Sequence, residues 1–329
     1  MSSRSSTLHH SITSVIGNTP LLELHNIVRL HNLRGRILAK LDYLNPGLSK
    51  KDRIALAMVQ YAKQNRLLAD GQTVVELTSG NTGTGLAIVC KAMGHPFIAV
   101  MSRGNTPERA RMMQALGAEV ILVNQAPGST PGQVSGNDLD LVEQRARQLV
   151  TERNAFRADQ FEMQANITAH EQTTGPELWQ QSNHTIDVFV DFVGTAGTFT
   201  GTARYLKRMN PNIRCYLVEP ASAAVLANKP ITNINHKIQG GGYSRKNLTL
   251  LDPTLVTAYL QVTDADAINA ARQLAAEEGI FAGFSSGAHL AAAIALLQSH
   301  ESNSTIAFLA CDSGLKYLST DLFPRSADV

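Results

Sequence analysis

Short apolar runs of strand length alternate with helix-length amphipathic segments along almost the whole chain, and this alternation limits the fold more than any other feature. Candidate strands are 37–41, 73–77, 97–101, 120–123, 188–193, 214–218 and 306–310. Most are near-continuous apolar stretches, as strands buried on both faces of a parallel sheet require. Candidate helices fall at 51–65, 83–93, 107–116, 139–154, 167–181, 201–209, 264–277 and 287–299. Such alternation specifies an α/β fold with right-handed crossovers. Two sets of elements lie on either side of about residue 155, and 329 residues suffice for two domains. The expected architecture is therefore two mostly parallel twisted sheets, each flanked by helices, with a cleft between them. The segment 124–137, with its glycines and prolines, is expected to be irregular.

Composition removes several classes of function. Lys plus Arg total 29 against 27 acidic residues, a net charge of +2, with the basic residues scattered. That balance gives no electrostatic case for nucleic acid or an anionic membrane. Cys90, Cys215 and Cys311 are widely spaced with no C-x-x-C, so neither a disulfide framework nor a zinc site is expected. The first 14 residues are polar and lack a signal-peptide core, and no apolar run is long enough to span a bilayer. The expectation is a soluble cytoplasmic protein with no metal. Residues 324–329 read as a loose tail.

Lys50 and Lys51 stand side by side at the start of the first long helix. At about 100° per residue, Ile54, Ala55, Met58, Val59 and Ala62 share an arc centred near Lys51. Lys51 thus faces inward and Lys50 leans toward water. Burial and a helix N-terminus both favour a neutral amine, the form able to attack a carbonyl. From these residues alone, a lysine that snorkels out of the first turn is the commoner outcome.

Three glycine-rich loops adjoin helix starts: Thr78-Ser79-Gly80-Asn81-Thr82-Gly83, Gly194-Thr195-Ala196-Gly197-Thr198 and Gly283-Phe284-Ser285-Ser286-Gly287. The first two can cradle an anion on backbone amides. Neither has the G-x-G-x-x-G spacing of a dinucleotide site, and there is no G-K-[ST]. Two anion cradles, a candidate buried lysine and a hydroxyl-rich loop together suit a cofactor bearing a phosphate and an aldehyde.

From about Ile16 to Leu322 the chain resembles the cysteine synthase and cystathionine β-synthase family, the fold type II enzymes that use pyridoxal 5'-phosphate (PLP). The resemblance rests on Ile16-Gly17-Asn18-Thr19-Pro20-Leu21, Asn45-Pro46 leading into Ser49-x-Lys51-Asp52-Arg53, and Thr78 to Gly83. It continues through Gln160-Phe161, Thr173-Thr174-Gly175-Pro176-Glu177, Gly194 to Thr198, Gly279 to Gly283 and Ser313-Gly314-x-x-Tyr317-Leu318-Ser319-Thr320.

The resemblance implies that Lys51 forms the Schiff base, Asn81 bonds the PLP phenolic oxygen and Gly194, Thr195, Ala196, Gly197 and Thr198 hold the phosphate. It implies further that Ser285 faces the pyridine nitrogen, and that Thr78, Ser79, Thr82 and Gln160 bind the substrate carboxylate. A smaller mobile domain at 45–155 and a larger PLP-anchoring domain at 12–44 plus 156–323 are implied, in a homodimer. The implied reaction is β-replacement on O-acetylserine or O-phosphoserine through an aminoacrylate, with sulfide giving L-cysteine. Replacement by homocysteine or an amine, β-elimination to pyruvate, and a catalytically silent PLP-binding regulator are the competing readings.

Apart from Ala196 in the phosphate loop, departures from the family pattern cluster away from the PLP motifs. They are Glu162-Met163-Gln164 after Gln160-Phe161, Ala196 in place of a glycine, a longer 128–136 segment, altered residues at 240–244, and Ala310-Cys311-Asp312. Cys311 is expected to be a small buried residue at a strand end, and His170 a structural partner.

Overall fold

The computed structural model describes residues 8–78, 80–132 and 134–323. The 324–329 tail therefore lies outside the described residues. Along the chain come β1 (Leu21–Glu23), α1 (His25–Leu30), β2 (Arg36–Lys40), α2 (Lys51–Gln64), β3 (Val74–Leu77), α3 (Asn81–Met93), β4 (Phe97–Ser102), α4 (Pro107–Ala115), β5 (Glu119–Val123) and α5 (Gly136–Glu152). They are followed by β6 (Phe156–Arg157), α6 (Ala165–Ala169), α7 (Gly175–Gln181), β7 (Val188–Phe192), α8 (Gly197–Met209), β8 (Arg214–Pro220), β9 (Ala258–Val262), α9 (Asp264–Glu278), α10 (Phe284–Leu297) and β10 (Thr305–Leu309).

The strands form two sheets. The larger has the order β1-β2-β10-β7-β8-β9 and the smaller β5-β4-β3-β6. Pairing is parallel throughout, apart from β1 against β2. Every residue of β3, β4, β7 and β10 is buried, because helices cover both faces of each sheet. Alternate residues of β7 feed different cores. Val188, Val190 and Phe192 pack with α9 and α10, whereas Phe189, with Val193 just beyond the strand, packs with Phe199, Ala203 and Leu206 of α8.

Three short strands escape the sequence reading. β1, β6 and β9 have only two to five residues, and none is wholly buried. They lack the apolar run that marks a central strand. Two helices differ from expectation for identifiable reasons. α5 starts at Gly136, because Ser135 and Asp138 form a reciprocal capping box, so the irregular segment ends sooner than its composition suggests. The expected helix at 167–181 is α6 and α7 joined by a π turn at His170–Thr174. The wider turn directs His170 and Thr174 into the interior.

In an open parallel sheet, ligands bind beyond the carboxyl ends of the strands where the winding direction reverses. In the larger sheet β7 lies between β8 and β10, so its reversal falls at the β7–β10 pair. In the smaller, β3 lies between β4 and β6. The loops after these strands carry the candidate site.

Candidate active site

β7 runs into Gly194–Thr198 and then α8. Ala196 takes a left-handed conformation (φ 66°) and no side chain caps α8, so the first amides of the helix are left to bind an anion. Side chains behind the loop hold its hydroxyls. Asn166 Nδ2 donates to Thr195 Oγ1 at 3.0 Å, and Thr198 Oγ1 lies 3.2 Å from His170 Nε2. A Cβ at Gly197 would come within 2.1 Å of Asn166 Oδ1, so only glycine lets the loop lie this close to α6. Burial drives the His170 pKa well down, assisted by Lys50, Arg53 and Lys51, and the ring stays neutral as a structural partner.

Lys50, Lys51, Asn81, Asp191, Ser285, Cys311 and Asp312 line one cavity together with the Gly194–Thr198 loop. The inward arc of α2 is buried as the wheel requires: Ile54, Ala55, Met58, Val59 and Ala62 are all 0% exposed. The wheel fails for the lysine pair: Lys51 is only half-buried where it opens onto the cavity, and the more deeply buried of the two is Lys50. It is 8% exposed, not solvated, because it precedes the helix and is placed by tertiary contacts. Its backbone N–H donates to Cys311 O, and its Nζ bonds Asp191 Oδ1 at 2.8 Å.

The two amines diverge chemically. Burial opposes the charge on Lys50, but Asp191 and Cys311 overcome it and raise its pKa. Burial lowers the Lys51 pKa, with repulsion from Lys50 next, to about 8. Among the described residues, no hydrogen bond or ion pair holds Lys51 Nζ.

Across the cavity, the Asn81 amide is pinned at both ends, donating to Asp312 Oδ2 at 2.7 Å and accepting from Lys316 Nζ at 2.7 Å. Thr82 Oγ1 donates to Gln160 Oε1 at 2.6 Å, and Gln160 Nε2 donates to Leu77 O, which joins the ends of β3 and β6. Thr78 Oγ1 accepts from the amides of Gly80 and Gly83 and so braces its own loop. Ser79 lies outside the described residues. Ser285, the second residue of α10, points a neutral hydroxyl residue at the cavity wall.

Asp191, His289 and Gln239 were not anticipated. Asp191 and His289 left a visible signal, each a polar residue inside an otherwise apolar strand or helix: Val188-Phe189-Val190-Asp191-Phe192 and Ala288-His289-Leu290-Ala291. Gln239 left none; with Gly240 it lines both this cavity and an outer one of about 480 Å³. The outer cavity gathers Arg103, Thr106, His236 and Tyr243, along with Pro131, Gly132 and Val134 from the long 128–136 segment.

A cleft between two parallel α/β units, with an anion cradle on one wall and an unpaired, partly neutral lysine on the other, defines a site for a phosphorylated aldehyde cofactor. Comparison with known proteins agrees. Residues 12–312 match the family model described as pyridoxal-phosphate dependent enzyme. Cysteine synthase 3 of Caenorhabditis elegans is 41% identical over 94% of this chain and 88% of its own length. The crystal structure of cysteine synthase from Entamoeba histolytica superposes with a TM-score of 0.89 at 32% identity, covering 100% of this chain and 95% of that one. That of O-ureido-L-serine synthase gives 0.86 at 34% identity, covering 98% of each chain. The chain belongs to the pyridoxal-phosphate-dependent enzyme family and is a PLP enzyme of cysteine synthase type.

The Lys51 environment gives a pH prediction. Its amine reacts only when unprotonated, and its pKa is about 8. Capture of PLP by the cofactor-free protein should therefore quicken about tenfold between about pH 6 and pH 7 and level off above about 8. Stopped-flow absorbance would read this; a rate still climbing tenfold per unit through pH 9 would contradict the Lys51 environment.

Proposed function

We propose that this chain carries out β-replacement on an activated serine, O-acetylserine or O-phosphoserine, with sulfide to give L-cysteine. The observation that carries the reading is the pair of lysines with opposite fates: one amine is locked as a cation and the next is left free in the cofactor cavity.

PLP, when bound, acts as an electron sink for the amino acid's α-carbon. The amides at the start of α8 and the hydroxyls of Thr195 and Thr198 would hold its phosphate. Lys51 would anchor it covalently, and its Nζ, freed when a substrate amino group takes that place, would accept the α-proton and later return it. Thr82 and Gln160, tied together, orient the substrate carboxylate, with Ser79 and the loop braced by Thr78. Asn81, fixed by Asp312 and Lys316, would hold the ring oxygen. Ser285 would face the ring nitrogen with a hydroxyl, which cannot keep a full proton there as a carboxylate would. Such a partner would suit loss of a group from Cβ. The outer cavity receives the leaving group and admits the nucleophile.

The test is to supply the PLP-loaded protein with O-acetylserine, O-phosphoserine or serine, with and without sulfide, and to measure cysteine and pyruvate. Sulfide-dependent cysteine with little pyruvate supports the reading, whereas pyruvate unaffected by sulfide would make the protein an eliminase. A second reading, replacement with another nucleophile such as homocysteine or an amine, is favoured by Glu162-Met163-Gln164 and the 128–136 segment, and by the likeness to O-ureido-L-serine synthase. Substituting those acceptors for sulfide in the same assay separates the two.

The same reading places the smaller, moving domain at 45–155 and the anchoring domain at 12–44 plus 156–323. Separate cores on the two sheets support that division, with β6 pairing into the smaller sheet just past its boundary. A homodimer follows from family likeness and is checked by sedimentation. Among the described residues no helix is long and apolar enough to cross a membrane. The three cysteines are buried and free, which supports a reducing, cytoplasmic setting.

A further inference from the structure

Four polar side chains form a buried cluster against the cofactor cavity: Lys50, Asp191, His289 and Cys311 are all below a tenth exposed. Lys50 Nζ bonds Asp191 Oδ1 at 2.8 Å. His289 Nε2 stands 3.4 Å from the same oxygen and accepts from the Phe192 amide at 2.5 Å. Its Nδ1 is 2.8 Å from Leu309 O, a contact that requires a proton on Nδ1. These two bonds set the neutral Nδ1–H tautomer; Asp191 pulls toward protonation, but the amide already occupies the Nε2 lone pair. Cys311 and Asp191 raise the ring's pKa to about 9 against burial, yet with Nε2 accepting from the Phe192 amide His289 braces the end of β7 and cannot donate to Asp191 as Lys50 does. Cys311 Sγ lies 3.5 Å from Leu309 O and 3.9 Å from His289 Nδ1. The cation hydrogen-bonded to Asp191 is Lys50.

A buried carboxylate needs a counter-ion. Asp191 has two amines within electrostatic reach, Lys50 and Lys51, and all three line the same cavity. We propose that Lys50 is a positioning residue: by serving as the dedicated counter-ion of Asp191, it leaves the neighbouring amine of Lys51 unpaired and free to react. The inference rests on Lys51 as the reactive amine.

The groups facing Lys51 are Lys50 beside it, Asp191 on β7, Cys311 and Asp312 after β10, and His170 on the π turn. Lys50 repels a proton on Lys51, while Asp191, Cys311 and Asp312 attract one. With Lys50 in place, Asp191 is already satisfied. Without it, the buried carboxylate keeps only His289, whose Nε2 stands 3.4 Å away and already accepts from the Phe192 amide, and Lys51 is the remaining amine in the cavity able to neutralise it. Two effects then act in the same direction: a repelling charge is lost and an attracting one is exposed.

The test compares full-length wild type with Lys50→Arg, Lys50→Met and the double variant Lys50→Met/Asp191→Asn. Trace acetylation across pH, with mass spectrometry of the peptide carrying Lys51, reads the titration of that amine without any turnover. PLP capture rates on the same proteins give a second reading. Lys50→Met should move the Lys51 midpoint up by about one pH unit or more, so that labelling near pH 7 slows about tenfold. Lys50→Arg, which keeps the cation, and the double variant, which removes the need for one, should both keep a midpoint close to wild type.

An unchanged midpoint in Lys50→Met, or a displacement that persists in the double variant, would overturn the proposal. Should Lys50→Met not fold, the other two variants decide, since each is expected at the wild-type midpoint and a shift of a unit in either refutes it. Because labelling does not depend on catalysis, an inactive chain with the expected midpoints would count against the proposed reaction and leave the counter-ion role standing.

Discussion

Lys51→Ala is expected to retain PLP only non-covalently and to lose β-replacement by about a thousandfold or more, because one amine both anchors the cofactor and moves the α-proton. Borohydride reduction followed by peptide mapping should place the pyridoxyl group on Lys51 in the wild type and nowhere in the variant. The sharp control is the adjacent residue. Lys50 is close enough in sequence to be mistaken for the anchor, but its bond to Asp191 keeps it an ammonium, which cannot attack a carbonyl. A variant that still yields a reduced adduct, mapped to Lys50, would refute the assignment of the two amines. Added methylamine should restore part of the proton transfer but not the covalent anchor.

The second large effect concerns stability. Arg53 forms a bidentate pair with Asp42, Nε to Oδ2 and Nη2 to Oδ1 both at 2.9 Å, and a second with Glu177 at 2.6 and 2.8 Å. It also reaches Thr173 and Thr19, and Glu177 in turn takes Lys40 Nζ at 2.6 Å. The cluster is almost wholly enclosed, with Arg53 at 3% and Asp42 and Lys40 at 0% exposure. Arg53→Met would leave Asp42 and part of Glu177 buried without their partner, which costs about 3–5 kcal/mol. Urea unfolding should show that loss. Arg53→Lys should recover only part of it, since an ammonium cannot make two forked pairs. A variant with the wild-type midpoint would mean that the cluster does not hold the start of α2.

The same cluster explains much of what the sequence displays. Thr19, Arg53, Thr173 and Glu177 come from three widely separated motifs, yet in the structure they bond to one another. They fix the first turn of α2, and with it the position of Lys51, two residues before Arg53. A motif match marks such residues as part of the enzyme but cannot separate those that meet the cofactor from those that hold the residue that does. Asn166 and His170 likewise stand behind Thr195 and Thr198 of the phosphate loop.

The central strands and long helices were legible because burial on both faces and helical periodicity are local patterns, written into consecutive residues. The glycine-rich loops were legible for the same reason, and the inward face of α2 pointed to Lys51. The edge strands β1 and β9 and the two-residue β6 were not, since their pairing comes from neighbours elsewhere in the chain. Lys50 marks the boundary most clearly. Periodicity speaks only for residues within the helix, and Lys50 sits just before it, where Asp191, 141 positions away, decides whether its charge meets water or a carboxylate. By itself the sequence determined the α/β class and the loops, carried by short-range pattern and composition, and marked Lys51 as the candidate reactive lysine through family resemblance. Only the tertiary structure decided which of two adjacent lysines is held as a cation, that His289 and Cys311 stand with Asp191, and that Gln239 joins the inner cavity to the outer. Each of those depends on contacts between residues far apart in sequence, where burial strips away water and makes the identity of the partner decide the charge.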